Sequence, residues 1–335
     1  MNVALVGGTG QIGTSLARAF TREGHGVTVV SRRPVAAPWK MVGWDGRALG
    51  DWTAALEGAD AVINLAGRSV NCRYTAKNRR EMIDSRVGPT ELLGRAIAAC
   101  RRPPPVWLQA STATIYAHRY DAANDEATGI LGGHEPTAPD ARRFSIEVAK
   151  AWEAAAQRAA TPHTRKVLLR SAMTMSPDRG GVFDTLLALV RRGLGGTTGD
   201  GRQYMSWIHE DDFVAAVHYL IKHENLAGPV NLAAPQPLPN ADFMRALRRA
   251  WGIRFGLPAS QAMLEIATLA MRTESELMLK SRRVVPGRLL AAGFEFRFPE
   301  WPAAAVDLCG RWRAAKARSA ANAREGRIGR VAQVH

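Results

Sequence analysis

Gly7, Gly10 and Gly13 are spaced as G-x-x-G-x-x-G close to the start of the numbered chain, and the chemistry of that pattern is the holding of a pyrophosphate. Where Cβ atoms are missing, backbone amides can reach phosphate oxygens and the helix that follows can pack against the strand that precedes it. Ser31, Arg32 and Arg33 come at the second position that matters in such a site. That position carries an acid when the adenine ribose 2′-hydroxyl is free, and an Arg when a 2′-phosphate has to be held. The acid is absent here. Ser31 can hydrogen-bond a phosphate oxygen and Arg32 or Arg33 can neutralise it, which favours NADP(H) and leaves NAD(H) open. The plainer alternatives are a glycine turn that only permits packing and a pair of exposed turn charges.

These residues need a strand, a sharp turn and a helix to position them. Val3, Ala4, Leu5 and Val6 form an apolar run that the paired glycines end, and Ile12, Leu16 and Phe20 then recur every four residues. A buried strand therefore turns into an amphipathic helix whose N-terminus faces the anion. Residues 27–30 predict a second strand, 49–56 a short crossover helix, and 61–65 a strand ending in Ala66-Gly67. Small residues there let a cofactor pass over the strand end, where Asn64 can meet a ribose. Helices are predicted over 75–84 and 87–100, broken at Gly88-Pro89, then a strand at 106–109, a helix at 144–160, a strand at 167–170 and a helix at 183–192. This alternation predicts an α/β fold, a Rossmann-type doubly wound parallel sheet covered on both faces.

Beyond Gly193 the rhythm changes. Glycines at 193, 195, 196, 199 and 201 make a loop, 204–209 reads as extended, and helices are predicted at 211–222, 240–251, 259–271 and 286–292. The expected organisation is a Rossmann domain over 1–192, to which segments around 203–234 can return; a smaller, mostly helical C-terminal lobe over 193–310; and a basic, flexible tail over 311–335. The 46% hydrophobic and 22% charged composition supports a sizeable core and excludes a disordered chain. Apolar stretches are interrupted well short of a membrane span, and the first residues read as a core strand instead of a cleavable signal, so no membrane and a cytoplasmic location are expected. Cys72, Cys100 and Cys309 are widely separated and odd in number, which suggests neither a disulfide framework nor a metal cluster. Net charge is +15, and part of it is the tail, where seven basic residues from Arg311 to Arg330 face Glu325 alone. With interleaved Ala and Gly this reads as a solvated extension, and nucleic acid is not the favoured partner. The oligomeric state is unknown.

Four segments carry a family resemblance: Gly7 to Gly13; Asn64-Leu65-Ala66-Gly67 with Asp84-Ser85-Arg86-Val87; Gly199-Asp200-Gly201-Arg202-Gln203-Tyr204-Met205-Ser206-Trp207-Ile208-His209; and Ser281-Arg282-Arg283-Val284-Val285-Pro286 through Gly293-Phe294. Over residues 1–308 the chain resembles the extended short-chain dehydrogenase/reductase superfamily. More closely, it is similar to the atypical NAD(P)-dependent epimerase branch that carries a C-terminal domain of unknown function. The resemblance implies an NADP(H)-binding oxidoreductase or epimerase acting on a small molecule. Its cofactor would be held by Gly7, Thr9, Gly10, Gln11, Ile12 and Gly13, by Ser31, Arg32 and Arg33, by Asn64, Leu65, Ala66 and Gly67, and by Arg86, with the nicotinamide near Thr112 and Pro177. Substrate would lie between the sheet and the lobe, under a rim at 199–203 from which Arg202 can hold an anionic group.

Members of the superfamily use a Ser or Thr together with Tyr-x-x-x-Lys, and the resemblance puts the hydroxyl on Thr112, with Ser111 as its neighbour. The Tyr-x-x-x-Lys pair is missing: aligning on Glu153 leaves Ser145 and Ala149 in its two positions, and Lys150 is one step, about 100°, around the helix. Substitute acids or bases are Tyr116 beyond the strand end, Glu147 on the helix, and His209, which can titrate near neutrality. The plain readings of the three are packing, a solvated charge, and a hydrogen bond pinning the lobe junction. Arg86 stands where extended members often have Asn and can bind an acidic substrate or a ribose hydroxyl. Arg170 ends a buried strand and is expected to satisfy carbonyls or a carboxylate inside the fold. Loss of the Tyr and Lys also opens a second class, a catalytically weak cofactor-binding regulatory protein.

Overall fold

The computed structural model describes residues 1–136, 138–259 and 279–331. The strands in chain order are β1 (Asn2–Val6), β2 (Gly26–Ser31), β3 (Lys40–Gly43), β4 (Ala61–Asn64), β5 (Val106–Thr112), β6 (Arg165–Ser171), β7 (Met173–Met175), β8 (Tyr204–Met205), β9 (Trp207–His209), β10 (Gly228–Leu232) and β11 (Leu238–Pro239). Seven of them form one parallel sheet in the order β10-β6-β5-β4-β1-β2-β3. Strand order reverses beside β1, because β2 pairs on one side and β4 on the other; a ligand crevice opens at such a reversal. The fold is a Rossmann-like doubly wound sheet with a helical C-terminal region.

Helices α1 (Gln11–Arg22) and α5 (Glu210–Lys222) cover one face, where Leu16, Phe20, Phe213, Val217 and Leu220 pack on Val3, Leu5 and Val29. Helices α2 (Ala76–Ala98) and α3 (Asp140–Arg158) cover the other, with Leu92, Leu93, Ile97 and Ala156 against Val6, Val62 and Trp107. Each large apolar side chain buried in this way contributes roughly 1.5–3 kcal/mol, which is why the strands read as continuous apolar runs. A second core joins α4 (Val182–Arg191), α6 (Asn240–Trp251) and the start of the helix Trp301–Val331. At its centre Trp301 stacks on Phe243 at 3.9 Å.

Several local expectations are corrected. Gly88-Pro89 does not break the helix: α2 runs through Pro89, because Met82 and Arg86 before it and Thr90, Leu93 and Ile97 after it are buried on one continuous element. Burial outweighs the one hydrogen bond that Pro89 cannot donate. The crossover at 49–56 is a 3-10 helix, Asp51–Ala55. The expected helix at 259–271 lies outside the described residues, save Ala259. The helix Trp301–Val331 continues into the basic tail, and Arg311 is anchored there by Asp211 at 2.9 Å and by Asp307 at 2.7 Å. Among the described residues no helix is long and apolar enough to cross a membrane.

Candidate functional site

The three glycines of the first turn do different jobs. Gly7 has φ +73, and a Cβ there would lie 2.6 Å from the Cα of Ala66 at the end of β4. A Cβ on Gly13 would lie 2.3 Å from the Gly8 carbonyl oxygen. Both are required by the protein's own packing. Gly10 is not: a Cβ there would meet nothing within 4 Å. It is the N-cap of α1, makes no side-chain cap, and leaves the first-turn amides facing the crevice. Beside it Gln11 sits against Gly181, and its buried Nε2 has no hydrogen-bond partner. The Gly7 amide donates to the Val30 carbonyl at 2.8 Å, and Thr9 Oγ1 lies 3.4 Å from Ser31 Oγ, so the glycine turn and the end of β2 form one ledge. Ser31 Oγ accepts from the Arg33 amide at 3.2 Å, while the Arg32 and Arg33 side chains are exposed.

At the next strand end the structure corrects the expectation for Asn64. Its amide donates to Thr90 Oγ1 at 3.0 Å and to Gln109 Oε1 at 2.9 Å, its Oδ1 accepts from the Ala66 amide at 3.1 Å, and it is fully buried. Asn64 thus shapes the Leu65-Ala66-Gly67 backbone, with both amide protons committed inside the fold. Arg86 lies along Gly67 in the wall of the crevice, with Nη1 donating to the Met82 carbonyl and Nη2 to the Arg68 carbonyl, both at 3.0 Å. Its guanidinium carbon is 5.0 Å from the centre of the Trp152 ring. Burial brings this guanidinium down to about 10, so it stays charged at neutral pH, and among the described residues no carboxylate pairs with it.

Ser111 and Tyr116 are drawn into the interior. Ser111 Oγ donates to Glu153 Oε1 at 2.6 Å; the two Glu153 oxygens accept from Arg170 Nε at 2.9 Å and Nη2 at 2.8 Å. Arg170 Nη1 donates to the Tyr116 hydroxyl at 3.0 Å, and that hydroxyl donates to Asn231 Oδ1 at 2.9 Å. Tyr116 is 2% exposed, and burial pushes its phenol above the usual range. The expectations that Ser111 orients a substrate and that Tyr116 presents its phenol to a pocket are therefore corrected. They belong to a buried ion-pair network beneath the ends of β5, β6 and β10. Thr112, next along β5, is half-buried and caps the 3-10 turn Ala113–Ile115 by accepting from the Thr114 amide at 3.1 Å.

On the helix that lacks Tyr-x-x-x-Lys the two positions make other contacts. Ala149 packs with Ala113 and Ile115 just beyond Thr112. Ser145, one turn earlier on the same side of α3, lies 3.2 Å from the Tyr74 hydroxyl. Sequence reasoning missed Tyr74: it comes from the loop after Gly67, and no spacing links it to α3. Lys150 turns away and donates to the Gly132 carbonyl at 2.8 Å. Glu147 is exposed, about 200° around α3 from Ser145. Pro177 is half-buried after β7; Arg202 is exposed on the rim, 6.0 Å from the Tyr120 ring.

His209 is fully buried as the N-cap of α5. Its Nδ1 accepts from the Asp211 amide at 3.0 Å, its Nε2 is 3.1 Å from Asp307 Oδ2, and its ring stacks on Phe298 at 4.0 Å. Burial brings it down to about 4, although Asp211 and Asp307 oppose the shift, so titration near neutrality is corrected to a neutral, structural imidazole. The unfolded chain takes up this proton first, near 6.5. Stability is full above that pH and falls as pH drops toward 4, by up to about 1.4 kcal/mol per pH unit. Thermal denaturation between pH 7 and pH 5 is expected to show a steeper decline in Tm for the wild type than for His209→Gln; parallel curves would contradict this.

Residues 3–233 match the family model described as the NAD dependent epimerase/dehydratase family. The chain belongs to this family. Residues 261–308 match a domain of unknown function, DUF1731. Human epimerase family protein SDR39U1 is 34% identical over 92% of this chain and 99% of its own length. A crystal structure of that human protein (isoform 2) with NADPH superimposes with a TM-score of 0.81 at 31% identity, covering 92% of this chain and 99% of that one. A nucleoside-diphosphate sugar epimerase from Corynebacterium glutamicum superimposes with a TM-score of 0.72 at 27% identity, covering 92% of this chain and 58% of that one. This epimerase family member thus shares its fold and almost its whole length with a relative whose structure holds NADPH.

Proposed function

We propose that this protein binds NADP(H) across the ends of β1, β2 and β4 and transfers hydride to or from a small substrate, as an oxidoreductase or an epimerase. The observation that carries the reading is Gly10, whose missing Cβ serves no contact within the protein yet opens the space above the α1 amides. The orphaned Gln11 Nε2 beside that space also fits a bound polar group. The amides of Gln11, Ile12 and Gly13 would take the pyrophosphate, with the loop held in register by Thr9 and Ser31. Ser31, Arg32 and Arg33 would take the 2′-phosphate, the Leu65-Ala66-Gly67 backbone would support the ribose, and Arg86, Thr112 and Pro177 would border the nicotinamide. The nicotinamide supplies a hydride acceptor or donor; the chain's own residues position the reacting carbon and exclude water. Arg202 on the rim would hold an anionic group of the substrate.

The discriminating experiment is calorimetric titration with NADPH and NADH. Arg32→Ala is expected to weaken NADPH about tenfold, or about 1.4 kcal/mol, and NADH by less than about twofold. Equal losses for both cofactors would count against the 2′-phosphate assignment. A second reading, a cofactor-binding protein with little turnover, is favoured by Ser145 and Ala149 in place of the usual pair. NADPH binding without consumption or product, across carbonyl and nucleotide-sugar probes, would select it.

A further inference from the structure

We propose that Tyr74 is the proton donor and acceptor of this site, with Arg86 as the nearby cation that favours its phenolate. The inference rests on the cofactor reading above and deepens it. The Tyr74 hydroxyl is held 3.2 Å from Ser145 Oγ, and Ser145 Oγ in turn donates to the Ala141 carbonyl at 2.9 Å, which leaves it an acceptor for the phenol proton. The ring packs edge-on against Phe144 with centroids 5.3 Å apart, so the hydroxyl is presented in a defined place. Ser145 is one turn before Ala149, which packs beside the turn that follows Thr112, so phenol and Thr112 border the same end of α3. Arg86 reaches along Gly67 at the end of β4. Its Nη1 donates to the Met82 carbonyl, and Met82 packs in one cluster with Phe144 and Tyr74. Arg68 and Cys72 also lie near the guanidinium and Arg79 donates to the Tyr74 carbonyl, while among the described residues no carboxylate pairs with Arg86. A desolvated, unneutralised guanidinium favours a nearby phenolate over the neutral phenol, which is what a proton-transfer group needs.

The other tyrosines do not offer this arrangement. Tyr116 is closed inside the Arg170 network, Tyr219 donates to the Ala292 carbonyl, Tyr204 lies under Arg283, and Tyr120 stands on the outer rim near Arg202. In the reducing direction the substrate is a carbonyl. NADPH supplies the hydride and its electron pair to the carbon, the carbonyl oxygen takes the phenol proton, and the products are an alcohol and NADP+. The O–H bond of Tyr74 breaks as the new O–H bond forms, and the phenolate beside Arg86 is reprotonated from water. Oxidation runs the same steps backward.

The test compares full-length wild type, Tyr74→Phe, Arg86→Gln and Arg86→Lys. Ultraviolet difference titration with NADPH bound is expected to show a phenol ionising ahead of the others in the wild type, absent in Tyr74→Phe, displaced to higher pH in Arg86→Gln and largely restored in Arg86→Lys. NADPH consumption with an ortho-quinone and a panel of aldehydes is expected to fall about 100-fold or more in Tyr74→Phe. NADPH affinity should stay within about twofold in that variant. The alkaline limb of the rate profile should move to higher pH in Arg86→Gln, a shift that a purely structural residue would not cause. With binding intact, an unchanged titration in Tyr74→Phe, or turnover within about threefold of wild type, overturns the assignment of Tyr74. Binding without turnover of any probe by the wild type also counts against it. Failure of the wild type to bind NADPH overturns the cofactor reading itself and is read separately, in the binding titration.

Discussion

Gly10→Val is expected to fold with a Tm close to that of the wild type and to bind NADPH at least about 100-fold more weakly, a loss of about 2.7 kcal/mol. The two halves of this expectation come from different neighbours. Nothing in the protein lies within 4 Å of a Cβ at this position, and the backbone there is extended with φ −77, which any residue adopts. The valine therefore costs the apoprotein little. Its methyls would occupy the space through which a pyrophosphate reaches the α1 amides, and those amides have no second route to the ligand. Gly13→Val is the contrasting case, because its Cβ would strike the Gly8 carbonyl at 2.3 Å and the variant should unfold at lower temperature. Differential scanning fluorimetry with and without NADPH separates the two. A Gly10→Val protein that retains wild-type affinity would mean that the missing Cβ is not what admits the phosphate.

The largest effect on stability is expected from Glu153→Ala. Arg170 and Glu153 are 6% and 5% exposed and share two hydrogen bonds, and the same carboxylate accepts from Ser111. Removing one member of a buried pair strands the other charge, which costs about 3–5 kcal/mol. In urea denaturation Glu153→Ala should lose at least about 3 kcal/mol. The double replacement Glu153→Leu with Arg170→Met should lose less than the single one, since no charge is then stranded. A single-variant loss under about 1 kcal/mol would mean that the pair is not sealed from water. The network also borders the proposed site, since Ser111 immediately precedes Thr112.

What the sequence discloses depends on whether a feature is local. The Gly7 to Gly13 turn, β1 and α1 are legible because an apolar run, paired glycines and a four-residue repeat are all local signals, and they agree. Edge strands β3 and β10 leave weak traces, since Lys40–Gly43 has four residues and Gly228–Leu232 opens on Gly-Pro; both are selected by the neighbouring strand. Pro89 reads as a breaker, and the packing of α2 on both sides of it overrides that signal. Asn64 and Tyr116 are well placed along the chain for a site, but a period of two cannot say which polar group is consumed by Gln109, Thr90, Arg170 or Asn231 across the fold. Tyr74 is the converse case. It lies 71 residues from Ser145 in sequence and meets it only when α2 and α3 pack side by side. The family resemblance points to the missing phenol at 145, and only the tertiary structure brings another one there.

Whether the α1 N-terminus and the end of β2 together hold NADP(H) is decided by a crystal structure of the wild-type protein grown with NADPH. The pyrophosphate is expected over the Gln11 to Gly13 amides beside Gly10, the 2′-phosphate against Ser31 and Arg32, and the nicotinamide between Thr112 and Tyr74. A pyrophosphate bound away from the α1 N-terminus, or a 2′-phosphate directed into solvent with Arg32 and Arg33 unengaged, would contradict it.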